Sequence, residues 1–207
     1  MKDSSSKFLG ASGALAGALA IAVLALTSGE PSAENPSLET IVGYYGDHRT
    51  IELFAGFLFV PLIALFLFFF TGALRGVLRS GEAGESTWST VVSVGLPLVA
   101  FSILMMGASG MAITKAVETG QLEIARTIYL ATAYDWIPWA APAAATMIAT
   151  GVGAIKTATL PKSFAIFSIA LGLIAISPLG IAGFLLMPLW LILASVFVLK
   201  AGAQTVA

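Results

Sequence analysis

Apolar positions in this chain gather into six runs separated by short polar stretches. The runs are 8–27, 51–74, 90–113, 129–155, 162–178 and 180–199. Crossing the hydrocarbon of a bilayer takes about 20 residues of helix, and most of the runs meet that length. Unpaired backbone is prohibitive in lipid, so each run is expected to be helical, broken only where protein covers the break. The pattern predicts an all-α, polytopic transmembrane helical bundle of six spans, with residues 1–207 forming a single domain.

The connections refine this. Residues 28–50 are the longest and are expected to form an extracytoplasmic loop, irregular over GEPSAENPS. Its later part, LETIVGYYG, is suited to a short interfacial helix with Tyr44 and Tyr45 at headgroup level. The first run, preceded by Lys2 and Lys7, looks like a secretory signal peptide, but it is longer than a usual signal core and is read as a retained span. With the N-terminus inside, Lys2, Lys7, Arg75, Arg79, Lys156, Lys162 and Lys200 fall on the inner side, and only Arg49, Lys115 and Arg126 on the outer. The excess of inner Lys and Arg predicts both termini in the cytoplasm, with the chain as a multi-pass protein of a bacterial cytoplasmic membrane.

Composition supports the membrane reading. Of 207 residues, 58% are hydrophobic and 10% charged, and the mean hydropathy is +0.96. A soluble domain carries roughly 25% charged residues, so this chain lacks the polar surface to cover a soluble globule. Net charge is −1 with no basic tract, which argues against a nucleic-acid partner. The absence of cysteine removes disulfide, thiolate and cysteine-ligated metal chemistry, and a single histidine, His48, removes multi-histidine sites within one chain. No HExxH, GxSxG or P-loop is present. The sequence implies no particular cofactor.

The informative polar residues lie at one predicted interface. In YYGDHRTIELFAGF, His48 and Glu52 are four apart and share one helical face, while Asp47 is placed to cap the helix start. At the outer start of the fourth run, Asp135 is flanked by Tyr134, Trp136 and Trp139. Asp135 is expected to cap a span beginning at Trp136, with 121–134 a separate helix; one long helix kinked at Pro138 and Pro142 is the alternative. Arg49 with Asp135, or Glu52 with Arg126, are plausible pairs. Two readings stay open for Tyr45, His48, Arg49, Glu52, Asp135, Trp136 and Trp139. They form an outer polar vestibule that binds a ligand, or they are a headgroup belt with no shared pocket. His48 with Glu52 and Asp135 has ligand types suited to zinc or iron, and His48 could serve as a general base, but holding a helix start is the simpler role.

Within the runs, Gly13 and Gly17 form a GxxxG pair, Gly107 and Gly110 lie in the third run, and Gly151 and Gly153 in the fourth. Small residues allow close helix approach in lipid and mark internal packing faces. The second run carries Phe54, Phe57, Phe59, Phe66, Phe68, Phe69 and Phe70 around its circumference, so part of it is expected to meet lipid or a partner subunit. Pro61, Pro97, Pro142 and Pro188 interrupt four different runs and permit a cavity.

The pieces YYGDHRTIELFAGF, WSTVVSVG and ATGVGAIKTATLPKSF resemble the DUF4386-like class of small actinobacterial membrane proteins, over roughly residues 35–200. The class often shows a tryptophan after the basic-proline turn, where this chain has Ser163 and Phe164. The resemblance implies a topology and no catalytic residue. Three functions remain in competition. The first is a non-enzymatic accessory or assembly subunit, or a binder of an apolar or lipid ligand, whose partners are membrane lipids and a second copy or another membrane subunit. The others are a transporter or small channel entered through the outer vestibule, and a membrane enzyme acting on lipid at the outer interface with His48 as base.

Overall fold

The computed structural model describes residues 2–31, 36–84, 86–132, 134 and 136–204. Among these the chain is all-α. The helices are α1 (Lys2–Leu26), α2 (Leu38–Asp47), α3 (Arg49–Phe54), α4 (Val60–Gly81), α5 (Thr87–Glu118), α6 (Leu122–Thr132), α7 (Trp136–Thr157), α8 (Lys162–Ala175) and α9 (Gly180–Gln204). Among the described residues four stretches are long and apolar enough to cross a membrane: Ser4–Leu26, Arg49–Gly81, Thr87–Glu118 and Gly180–Ala201. Helix α7 has 22 residues but is rich in alanine, glycine and threonine, and α8 has only 14.

Helices α1, α4, α5, α7, α8 and α9 form a closed ring, each packing on its predecessor, with α9 returning to α1. The expected use of small residues for internal packing holds at Gly13, Gly17, Gly107, Gly151 and Gly153, whereas Gly110 has no helix packed against it. A methyl at Gly17 would stand 2.5 Å from the Pro188 carbonyl of α9, and one at Gly151 would stand 2.4 Å from the Ala165 carbonyl of α8. The GxxxG face of α1 is thus spent inside the chain. Bulky residues turn outward on α4, where Phe68 is 48% exposed, while Phe70 and Leu67 are fully buried. Two tryptophans lie deep in the core with their N–H groups used. Trp190 donates to Ser168 Oγ at 2.8 Å, and Trp139 donates to Met187 Sδ at 3.2 Å. Bringing an indole N–H into an apolar interior without such a partner would be costly.

Two features shape the end of the bundle where α1 and α5 finish and α3 and α7 begin. Helix α5 stops in a Schellman motif. Gly120 takes the left-handed conformation (φ 71°), Gly120 N–H bonds to Val117 O, and Gln121 N–H bonds to Ala116 O. The chain then turns into α6, which packs with α2 across the end of α5 through Ile41, Tyr44, Tyr45, Ile113, Ala116, Ala125 and Tyr129. Between α3 and α4 lies one π-helical turn, Ala55–Phe59, in which Val60 N–H reaches back five residues to Ala55 O. Pro61 follows at once. Its ring crowds the carbonyl of Phe57 and offers it no N–H, and a widened turn relieves the clash.

The alternative of one kinked helix over 121–155 gives way to two helices, α6 and α7, with the second starting at Trp136 as expected. Asp135, the expected cap, lies outside the described residues. Asp47 does not cap the next helix as expected: it is the last residue of α2, and His48 occupies the cap position of α3 without a side-chain cap bond.

Candidate functional site

Beneath α2 and α6 lies a cavity of about 270 Å³. Its walls come from α1 (Val23, Leu24), the π-helical turn and α4 (Gly56, Val60, Ile63), α5 (Ile103, Met106, Gly107, Gly110) and α9 (Phe184, Pro188, Leu191). Polar groups concentrate at one end: Thr27, Glu30, Tyr45, Glu52 and Thr132. An engineered apolar cavity of about 150 Å³ already admits benzene, and small-molecule sites usually begin near 300 Å³. This volume therefore suits one modest apolar molecule or a single chain.

The cavity exists because residues facing it are small or bent away. Gly110 has no side chain, and a methyl there would meet only Glu52 Oε2, at 3.5 Å. Pro188 on α9 gives no N–H to the Phe184 carbonyl four residues earlier, which interrupts the ladder where both residues line the wall. The π-helical turn contributes Ala55 and Gly56 to the lining. Below Ile63, the α4 residues Leu67, Phe70, Leu74 and Leu78 are all fully buried, so the far half of the bundle is filled by side chains.

Two tyrosine–carboxylate pairs organise the polar end. Tyr44 Oη donates to Glu52 Oε1 at 3.0 Å and stands 3.4 Å from Thr27 O. Tyr45 Oη donates to Glu30 Oε1, and Tyr129 Oη donates to Pro31 O. The rings of Tyr44 and Tyr45 meet edge to face at 5.1 Å. Burial first, then the charge and hydrogen bond of the partner carboxylate, pushes both phenols far above their ordinary range, so each stays a proton donor. Desolvation likewise raises the Glu30 carboxyl, and the Tyr45 bond offsets part of that rise. Glu30 is exposed as a residue, whereas Glu52 is only 9% exposed.

Of the residues singled out in the sequence, Tyr45, Glu52 and Trp139 line this one cavity. Of the remaining vestibule candidates, His48, Arg49 and Trp136 do not line it, and Asp135 lies outside the described residues. His48 stacks on Tyr44 at 4.4 Å, and its Nδ1 lies 3.0 Å from Tyr44 O, so the ring is engaged with the helix end and not with the cavity. Arg49 pairs with Glu118 at 2.6 Å, and Lys115 pairs with the same carboxylate at 2.8 Å. The expected pair of Glu52 with Arg126 does not form: Glu52 is held by Tyr44, and the buried Nε of Arg126 has no hydrogen-bond partner among the described residues. The other expected pair, Arg49 with Asp135, falls outside the described residues. Trp136 packs at the start of α9, where a methyl on Gly180 would meet its ring at 2.6 Å. Among the described residues no group of three metal-ligating side chains gathers; Asp135, part of the expected metal set, is outside them.

Sequence reading missed Glu30, Tyr44 as a carboxylate donor, and the α9 wall. Tyr44 and Glu52 are eight residues apart across a break between helices, and Glu30 is fifteen residues from Tyr45. No local spacing encodes either contact. A scan of protein-family models, a search of curated proteins and a search of solved structures return no match to this chain.

Proposed function

We propose that this chain is a non-enzymatic membrane protein that binds a small apolar or amphiphilic ligand in the cavity beneath α2 and α6. In this reading the ring of α1, α4, α5, α7, α8 and α9 supplies six spans in a bacterial cytoplasmic membrane. Both termini are cytoplasmic, and the α2–α6 cap lies on the outer side. The DUF4386-like resemblance is retained as a proposal for that topology. One observation carries the binding role: an apolar cavity of about 270 Å³ whose polar groups are confined to one end. Such a site orients an amphiphile, with the chain in the wall of α4, α5 and α9 and the head at Glu52 and Tyr45.

Transport is the second reading, favoured by Pro188 and the π-helical turn before Pro61, which place two bendable points in the cavity wall. The packed layer of Leu67, Phe70, Leu74 and Leu78 closes the route toward the other end, and binding without passage is preferred. The test is organic extraction of protein purified from native membranes, followed by mass spectrometry. A stoichiometric small amphiphile is expected from the natural chain. It should be lost from Gly110→Leu, whose side chain would grow into the cavity. Equal recovery from both proteins would overturn the cavity as the site.

A further inference from the structure

The chemistry of the cavity's polar end goes further and specifies the head of the ligand; this step rests on the cavity being a binding site. Glu52 is nine-tenths buried, and its Oε1 is used by Tyr44. Its Oε2 has no hydrogen-bond partner among the described residues and lies beside the vacant side of Gly110. Glu30 lines the same end of the cavity with one oxygen used by Tyr45. Among the described residues no Lys, Arg or His comes within salt-bridge distance of either carboxylate, although Arg49 and Lys115 at this end are both committed to Glu118. A buried carboxylate with a free oxygen and no cationic side chain in contact is the arrangement that a bound cation would complete.

We infer that the ligand is a single-chain amphiphile with a protonated amine head, its ammonium group received by Glu52 Oε2 and Glu30 and its chain lying along Val60, Ile103 and Leu191. An ammonium group offers three donors and no acceptor, which matches two carboxylates whose other oxygens already accept from tyrosines. A carboxylate or phosphate head would meet like charge at this end. An alcohol head would satisfy one oxygen and leave the charge unmatched. The apolar walls distinguish the site from a simple metal or inorganic cation site, since the larger part of the lining has nothing to offer a bare ion.

Trp139 in the cavity wall supplies the readout. Terminally brominated octylamine, octanol and octanoate would be titrated into the full chain in detergent micelles, and tryptophan quenching followed, with Trp139→Phe as the control. The amine should half-saturate at a concentration at least about tenfold lower than the alcohol, the scale of one charge-assisted hydrogen bond, and octanoate should bind most weakly. Glu52→Gln should bring the amine to the level of the alcohol without changing alcohol binding. Glu30→Gln should weaken the amine alone. Should Glu52→Gln fail to fold, the Glu30→Gln titration and the larger thermal stabilisation of the natural chain by the amine than by the alcohol decide the matter. Equal binding of the three heads overturns the amine while leaving the cavity as a ligand site. Absence of saturable Trp139 quenching by any of them removes the binding role itself.

Discussion

Removing the Tyr44 hydroxyl tests the physical basis of the site most directly. Tyr44→Phe keeps the ring, its edge-to-face contact with Tyr45 and its stacking on His48, and deletes only the donor to Glu52. A hydrogen bond to a charged group contributes about 1.5–3 kcal/mol. Glu52, 9% exposed, has no other side-chain donor among the described residues, so the full range is expected. The contact to Thr27 O, at 3.4 Å, adds little. Tyr45→Phe deletes the donor to Glu30, but Glu30 is an exposed residue that can turn to water, and the cost should fall to about 0.5–1.5 kcal/mol. Unfolding by sodium dodecyl sulfate in mixed micelles, followed by tryptophan fluorescence, measures both. Combining Tyr44→Phe with Glu52→Gln closes a double-mutant cycle, and the coupling should be about 1 kcal/mol or more. A coupling near zero, or Tyr45→Phe costing more than Tyr44→Phe, would refute the reasoning that a buried, otherwise unpartnered carboxylate sits beneath Tyr44.

Other expectations concern capping, packing and topology. Glu82 caps α5 from the preceding turn: Oε1 accepts from Trp88 N–H and Ser89 N–H at 2.8 and 3.0 Å, and Oε2 accepts from the Ser89 hydroxyl at 2.6 Å. Desolvation raises this carboxyl, but the Ser89 and Trp88 bonds and the Arg79 charge outweigh it, so it titrates below the ordinary 4.5. A depressed folded-state value means that its stabilisation is present above pH 4.5 and is lost as pH falls through the lowered value. Glu82→Gln should cost about 1 kcal/mol at neutral pH, the scale of a helix cap, and should flatten the acid limb of the melting temperature against pH; an unchanged acid limb would count against the cap. Gly17→Ala should destabilise by about 1–3 kcal/mol in a thermal melt, because its methyl meets a backbone carbonyl at 2.5 Å. Gly72→Ala, with nothing within 4 Å, should be neutral or stabilising, and the reverse order would contradict the α1–α9 contact. The chain has no cysteine, so single cysteines introduced at Gln121 and Thr159 give unambiguous labels. A membrane-impermeant maleimide on intact cells should modify Gln121→Cys and spare Thr159→Cys until the cells are opened. Labelling of both alike would reject the proposed topology.

The positions of the main helices were legible in the sequence because hydropathy and punctuation are local. Runs of apolar residues long enough for lipid became α1, α4, α5 and α9, and the break before Trp136 followed from the prolines and polar residues there. The use of Gly13 and Gly17 as a packing face was legible for the same reason: a missing side chain marks close approach wherever the neighbour comes from. Partner choice was not legible. Arg49 had several acidic candidates at one interface, and the fold gave it Glu118 from the end of α5; Glu52 had Arg126 in prospect and received a tyrosine from a helix before the break. The cavity was equally a tertiary outcome, since it needs the gap beside Gly110, the interrupted ladder at Pro188 and the π-helical turn to border one space. Sequence fixes which residues are apolar, small or helix-breaking, because those are properties of single side chains and their near neighbours. Which charges meet, and where space remains between helices, depends on distances between segments far apart in the chain, and only their packing sets those.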